Sequence, residues 1–276
     1  MDLVDWLLLP NKHPIFENSS VALNMFHVGL DIMHILDLGT VQFLGGGAAH
    51  CLVFDCNFDG NVEKRINDVW DLLSGAYDSL GTPAGERISH LHFVGMFDNN
   101  RARGPANFPE LKTKAAISRH SIAALSIVYQ SLPVLPEHCH KIRRLLKHLR
   151  RFYDAVAYHG MWFDPVTAQR VYDDLHAVAV IHQELTEFML SANRRIFHFT
   201  EKTHYVEHVA LDVLVTRFNP RFAWCYLDED FMGRMASLIK ATLRGRGPLG
   251  CGPTVMHRWR AMTWLRLSRR QRLAAP

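Results

Sequence analysis

Four stripes of apolar residues at helical spacing constrain most strongly what this chain can fold into. Apolar side chains that recur every three or four residues line one face of an amphipathic helix, and such faces pack against each other. The sequence therefore predicts a helical bundle in the middle of the chain. Asp164 and Pro165 predict where the last of its helices begins, because a carboxylate often caps a helix whose first residue is proline. The stripes lie in residues 66–80, 117–128, 142–156 and 171–189.

Two shorter segments are predicted to be extended, and each precedes an acidic helix start. Residues 21–30 form an apolar run of the length of a buried strand, followed by Asp31 and a helical pattern. Residues 217–226 are rich in aromatic side chains and lead to Glu229 and a second helical pattern. A glycine triplet at 45–47 is expected to weaken or kink the first helix. The predicted fold class is mostly α with a small β component.

Composition is typical of a globular protein. Of the 276 residues, 48% are hydrophobic and 21% are charged, and no apolar run approaches the ~20 residues that a membrane helix needs. The five cysteines are scattered and form no Cys-x-x-Cys pair, which disfavours a structural zinc site or a disulfide framework. Reduced thiols of this kind predict a nuclear or cytoplasmic location.

The charge is distributed unevenly along the chain. The net charge is +4, yet the 46 residues after Asp230 contain ten Lys or Arg and no acid. Such a tail favours a polyanion as partner, with a solubilising tail as the alternative. Residues 141–151 place six further positive charges on the polar side of an amphipathic helix, where a merely solvated face is an equal alternative. The tail arginines predicted to contact the polyanion are Arg258, Arg260, Arg266, Arg269 and Arg270.

Asp31 and Glu229 are the candidate metal ligands. Two carboxylates delivered at helix starts can converge on a divalent cation, and Mg²⁺ or Mn²⁺ prefers oxygen ligands. An acid at a helix start is also a common N-cap, and composition alone favours that alternative at both positions. His34 lies one turn after Asp31 and shares its helix face, where it can orient the carboxylate or contact a phosphate.

A second polar group lies on a helix predicted at residues 200–215. His204 and His208 have the i,i+4 spacing of helical zinc sites. No glutamate follows the first histidine as in a His-Glu-x-x-His metalloprotease, and a chain with 17 histidines contains such a pair by chance. Lys202 and the two histidines are alternatively placed to stabilise a phosphate near Glu229.

These motifs together resemble the RNase-H-like DDE transposases of cut-and-paste DNA transposons and the transposon-derived proteins of protist genomes. The resemblance covers roughly residues 13–50 and 198–245. The motifs are His13-Pro-x-Phe16, Asp31-x-x-His34 with Leu36-Asp37-Leu38-Gly39, Lys202-x-His204-x-x-x-His208, Asn219-Pro220-Arg221, Trp224-Cys225-Tyr226 and Glu229-Asp230-x-Met232-Gly233.

The resemblance implies a partial RNase-H-like α/β core interrupted by a large helical insertion. Residues 1–56 would be the second half of the core, 57–198 the insertion, 199–247 the return to the core and 248–276 a basic tail. Asp31 would be the second metal ligand and Glu229 the third. The first aspartate of the family has no counterpart in this sequence, so a truncated copy is expected.

The resemblance also implies the roles of the remaining site residues. His34, His204 and His208 would join the catalytic site, and Lys202, Arg221 and the tail arginines would bind DNA. The predicted function is therefore the C-terminal catalytic portion of a transposase, inactive as truncated, with Mg²⁺ or Mn²⁺ as cofactor.

Two other functions remain open on the residues alone. The main alternative is a non-catalytic helical protein that binds nucleic acid or protein through basic surfaces, and a hydrolase with zinc on His204 and His208 is the weakest. DNA is the expected partner, self-association is a second expectation, and neither a membrane nor a small-molecule cofactor is expected.

Overall fold

The computed structural model describes residues 30–97, 108–226, 233, 235–240 and 254–261. The chain divides into two compact units, Met1–Trp224 and Cys225–Pro276. In the second unit, residues 235–240 and 254–261 are helical.

The described part of the first unit is a bundle of α-helices. A π-helical segment, Met33–Thr40, precedes it, and two 3-10 turns, Ala84–Glu86 and Pro220–Ala223, interrupt and close it. The α-helices are α1 (Val41–Phe54), α2 (Val62–Ser79), α3 (His90–Gly95), α4 (Ala115–Ser131), α5 (Glu137–Tyr158), α6 (Pro165–Ser191) and α7 (Glu201–Thr216).

The four apolar stripes are confirmed as helices, and their apolar side chains are buried in one shared core. The stripes correspond to α2, α4, α5 and α6, and the core extends from Ile32 to Val213. Asp164 caps α6 as predicted, because its Oδ1 accepts hydrogen bonds from the Val166 and Thr167 amides at 3.0 Å. Helix α6 packs against both α5 and α7.

The predicted β component, and with it the RNase-H-like core, is wrong for the described residues. Their only β pairing is an isolated bridge between Trp162 and Phe218. Residues 217–226, predicted to be strand-like, instead contain the 3-10 turn Pro220–Ala223, which the Asn219 side chain caps. Of the strand predicted at 21–30, only Leu30 lies within the described residues, and Leu30 does not belong to a strand.

The glycine triplet does not kink α1, which runs unbroken from Val41 to Phe54. The kink lies earlier, at Gly39 in the π-helical segment, where φ is −124° and ψ is −107°. The triplet instead allows close packing. A Cβ on Gly46 would lie 2.6 Å from the backbone of Pro109 and Glu110, so only glycine lets that segment pass.

Gln42 fixes the same neighbouring segment through its buried side chain. Its Nε2 donates to the Thr113 carbonyl at 2.9 Å and to the Ser118 Oγ at 2.7 Å, and its Oε1 accepts from the Thr113 amide at 3.2 Å. This satisfies the amide group, which would otherwise be costly to bury. Segment 108–114 is thereby tied to α1 and to the start of α4.

The π-helical segment is surrounded by α1, α4 and α7. Its side chains Met33 and Leu36 are fully buried. The helical pattern predicted after Asp31 is confirmed, because residues 33–54 are helical.

Candidate nucleic-acid interface

Asp31 occupies a helix-capping position. Its Oδ1 accepts a hydrogen bond from the Met33 amide at 3.1 Å, and its Oδ2 pairs with Nδ1 of the exposed His34. The predicted proximity of Asp31 and His34 is confirmed. The geometry is that of the N-cap alternative, in which the carboxylate satisfies an amide at the start of the helix.

The magnesium site predicted at Asp31 falls only partly within the described residues. Glu229, the predicted partner carboxylate, lies outside the described residues. Within them, the only group of three or more His, Cys, Asp or Glu side chains whose ligand atoms lie together is elsewhere, at Cys51, Asp55 and His138. Asp37 is buried and accepts a hydrogen bond from the Tyr153 hydroxyl.

His204 and His208 contact each other on the exposed side of α7. Their Nε2 atoms are 3.0 Å apart, so that one ring donates to the other. The intervening Glu207 pairs instead with His176 at 2.9 Å. Because the part of the chain that the structure describes supplies no third ligand here, the zinc-hydrolase alternative has only two of the ligands it requires.

Lys202 joins the two segments that carried the transposase resemblance. Its Nζ donates to the Leu38 carbonyl at 3.3 Å, near the end of the π-helical segment. Its side chain covers Gly39, where a Cβ would lie 2.6 Å from the Lys202 Cδ. Residues 31–40 and the start of α7, distant in sequence, therefore pack together. A cavity of about 480 Å³ opens between them.

Asn219 fixes the position of Arg221. The buried Asn219 Nδ2 donates to the carbonyls of Val156 at 3.1 Å and Gly160 at 3.0 Å, at the end of α5. Its Oδ1 accepts from the Arg221 amide at 3.0 Å. The Asn-Pro-Arg motif thus closes the C-terminal end of α5 and sets Arg221 beside it.

Three arginines from different elements line one cavity of about 320 Å³. Arg119 comes from α4, Arg150 from α5 and Arg221 from the 3-10 turn. The Trp224 ring lies against two of them, with the guanidinium carbon of Arg119 at 5.3 Å and that of Arg221 at 5.6 Å from its centroid. We refer to this site, including its acidic member Asp154, as the arginine cavity.

The arginine cavity is positively charged. Its lining contains three arginines and one carboxylate, Asp154, which lies 4.0 Å from the Arg150 Nε. Burial, and then the charge of Arg119, lower the pKa of His120, while Glu86 at 2.6 Å opposes them. The depressed pKa keeps His120 neutral at pH 7, so the arginines carry the charge that attracts an anion.

The basic face of α5 leads to the arginine cavity. Its apolar residues are buried in the core, as predicted. Lys141 pairs with Glu184 at 2.8 Å and Arg151 with Asp174 at 3.4 Å. Arg144 and Lys147 are exposed, and neither forms a close ion pair among the described residues. Spacings of three and four residues place these two on the same side of α5 as its later arginines.

The tail arginines are only partly within the described residues. Arg258 and Arg260 are exposed on the helix at 254–261. Arg266, Arg269 and Arg270 lie outside the described residues.

Arg119 is the residue of the arginine cavity that sequence reasoning missed. It belongs to the second apolar stripe only as a polar neighbour, and nothing in its local sequence distinguishes it from other surface arginines. Its proximity to Arg221 arises from the packing of α4 against α5, which no local pattern encodes.

A second polar cluster, around Asp55, lies where the ends of three helices meet. Asp55 accepts hydrogen bonds from His138 Nε2 at 2.8 Å and Arg194 Nη2 at 2.7 Å. Burial acts to raise the pKa of Asp55, but these hydrogen bonds outweigh it and hold that pKa well below its usual range. Burial, and then the Asp55 charge, raise the pKa of the Cys51 thiol.

Comparisons with protein-family models, curated proteins and solved structures returned no match for this chain. Among the described residues, no helix has the combination of length and apolar character that crossing a membrane requires.

Proposed function

We propose that this chain is a helical, transposase-derived protein that binds DNA through its phosphate backbone. The observation that carries the proposal is the arginine cavity, in which Arg119, Arg150 and Arg221 converge around Trp224. Arg221 and Trp224 belong to motifs on which the resemblance to transposases rests. Phosphate binding is proposed rather than strand cleavage because, among the described residues, Asp31 caps a helix start and pairs with His34.

The chemistry of the arginine cavity suits a nucleotide unit. Guanidinium groups donate paired hydrogen bonds to phosphate oxygens, and an aromatic ring offers a stacking surface to a base. Arg221 is held in place because its Nη1 donates to the Ala157 carbonyl at 2.7 Å. The exposed Arg144 and Lys147 extend the contact along α5, so that a phosphate backbone can follow the helix into the cavity.

Binding of a labelled DNA duplex, measured by fluorescence anisotropy over a series of salt concentrations, tests the proposal. Arg144→Glu is expected to weaken binding and to reduce the slope of log K against log salt by about one to two, because a phosphate contact is lost and a repulsive charge is added. Arg170→Glu is the matched control. Arg170 is exposed on α6, and its substitution makes the same charge change on a helix that contributes no residue to the arginine cavity.

Trp224→Leu tests the cavity itself with single-stranded DNA. Loss of base stacking is expected to weaken binding by about 1–3 kcal/mol, with an unchanged salt slope because no charge is removed. Equal affinity of the Arg144→Glu and Arg170→Glu variants, or no effect of Trp224→Leu, would contradict the proposed interface.

A plasmid-nicking assay separates binding from the catalytic prediction. The proposal expects no magnesium-dependent cleavage by the purified chain. Cleavage that both Asp31→Ala and Glu229→Ala abolish would instead support the transposase active site. The proposal goes with a nuclear or cytoplasmic location, in keeping with the described cysteines, none of which forms a disulfide. Self-association stays a prediction.

A further inference from the structure

Three helix ends meet at the cluster around Asp55. Cys51 lies in the last turn of α1, and Asp55 follows that helix directly. His138 lies in the first turn of α5, and Arg194 comes just after α6. The ligand atoms of Cys51, Asp55 and His138 all lie within 4.8 Å of one another. The spacing of four residues between Cys51 and Asp55 places both side chains on one face, opposite the imidazole.

We propose that Cys51, Asp55 and His138 bind a zinc ion at this junction. Sulfur, imidazole nitrogen and carboxylate oxygen are the ligands that zinc takes in proteins, with bonds of about 2.0–2.3 Å. A tetrahedral ion with such bonds holds its ligand atoms roughly 3.5 Å apart, so side-chain movements of about 1 Å close the site. Three protein ligands leave the fourth position to water.

The thiol ligand distinguishes this site from the magnesium site predicted at Asp31. Mg²⁺ binds oxygen ligands in octahedral geometry and does not select a buried sulfur, whereas thiolate favours zinc. Cys51 is fully buried. The side chains of Asp55 and His138 are 11% and 14% exposed, which leaves a route for the ion from one side.

Arg194 is compatible with the ion because of the charge balance. A Cys51 thiolate and the Asp55 carboxylate neutralise the two charges of zinc, so the guanidinium group faces a neutral centre. The Arg194 Nη2 lies 2.7 Å from Asp55 Oδ1 and 3.0 Å from Oδ2, and His138 contacts Oδ2. Oδ2 is therefore the metal-binding oxygen, and Arg194 orients the carboxylate through Oδ1, as outer partners of metal ligands do.

The alternative is an ion-pair network of Asp55, His138 and Arg194 that needs no metal. Zinc titration of the metal-free full-length chain distinguishes the two. The proposal expects one zinc per chain, and Co²⁺ in its place is expected to give a tetrahedral spectrum with a charge-transfer band from one sulfur. Because this measurement uses the unaltered chain, it does not depend on the folding of a variant.

Matched variants locate the ion. Cys51→Ser and His138→Gln are expected to weaken zinc binding by at least about a hundredfold, and Arg194→Gln by about ten- to a hundredfold. Cys225→Ser removes a thiol outside the cluster, and His204→Ala with His208→Ala removes the surface histidine pair. Both controls are expected to bind zinc like the unaltered chain.

Three results would overturn the proposal. The first is the absence of stoichiometric zinc on the unaltered chain, and the second is a cobalt spectrum without a sulfur ligand. The third is loss of binding in the surface histidine variant but not in Cys51→Ser. Any of these would leave the ion-pair network as the role of the cluster.

Discussion

His182 is a buried histidine whose two ring nitrogens lack hydrogen bonds that would offset the cost of burial. It lies in α6 with no exposed surface, and neither ring nitrogen has a hydrogen-bond partner. Its aromatic neighbours are Phe197 and Phe199. Burial, and then the charge of His198, lower the pKa of His182 to about 3. The folded protein therefore keeps this imidazole neutral at pH values where the unfolded chain protonates it.

Replacing His182 by leucine should make the protein more resistant to acid. In the unfolded chain this histidine has a pKa of about 6.5, whereas in the folded protein its pKa is about 3. As the pH is lowered from 6.5 to about 3, the unfolded state therefore binds more protons than the folded state, and the free energy of unfolding decreases. This residue alone is expected to cost about 3 kcal/mol at pH 4.5 relative to pH 7.5. His182→Leu removes that loss and also the unsatisfied polar atoms, which raises stability at neutral pH by about 1–3 kcal/mol.

Urea unfolding at pH 4.5 and pH 7.5 checks this expectation. His208→Leu, which removes a surface histidine of α7, is the control and should retain the pH dependence of the unaltered chain. The depressed pKa of Asp55 also destabilises the protein as pH falls, but it acts equally in both variants. A His182→Leu variant with the same loss between the two pH values would contradict the burial argument.

Helix α1 has no room for a side chain at Gly46, whereas α2 carries a glycine that it does not need. A Cβ at Gly46 would meet the backbone of Pro109 and Glu110 at 2.6 Å, and a backbone cannot rotate away as a side chain can. Nothing lies within 4 Å of the Cβ position at Gly75 on the exposed side of α2.

Alanine at these two glycines should therefore have opposite effects. Gly46→Ala is expected to lower the free energy of unfolding by about 1–3 kcal/mol through overpacking. Gly75→Ala is expected to raise it by about 0.5–1 kcal/mol, because alanine is the better helix former. Urea midpoints at constant m-value measure both effects. A stabilised Gly46→Ala variant would contradict the packing argument, because it would show that the backbone of segment 108–114 moves away from the added methyl group at little cost.

The helices follow from the sequence to the extent that one of their faces is polar. The stripes of α2, α4, α5 and α6 alternate with polar residues at a period of 3.6, and each is confirmed. The helical pattern after Asp31 is likewise confirmed, whereas the kink predicted at the glycine triplet lies instead at Gly39. At 217–226 the aromatic content predicted a strand. The segment instead forms a 3-10 turn, because the Asn219 side chain caps it and Pro220 occupies its first position.

The candidate site was predictable only in its local parts. The pairing of His34 with Asp31 and that of His204 with His208 follow from helical spacing, and the structure places both pairs in contact. The convergence of Arg119 with Arg221, and of Cys51 with His138, requires the packing of separate helices. A single sequence records such packing only as buried apolar faces, which specify that helices meet but not which polar residues meet at their rims.

At the scale of the whole molecule, positive charge is concentrated in two places, the α5 face with its arginine cavity and the chain after Asp230. The last 20 residues contain six arginines and no acid. Each region alone offers several phosphate contacts, and each such contact releases counterions from DNA. Under the proposed function, the two regions are therefore expected to contribute separately to the salt dependence of DNA binding.

Removal of residues 257–276 should weaken duplex binding and lower the salt slope by up to about five, because six arginines are lost and each phosphate contact contributes about 0.9. Single-stranded binding in the arginine cavity should persist and remain sensitive to Trp224→Leu. Anisotropy titrations of the full and shortened chains, each with and without Arg144→Glu, measure both effects. Additive changes in slope would identify two independent contact regions, whereas complete loss of binding on truncation would assign recognition to the tail and leave the cavity without a role in DNA binding.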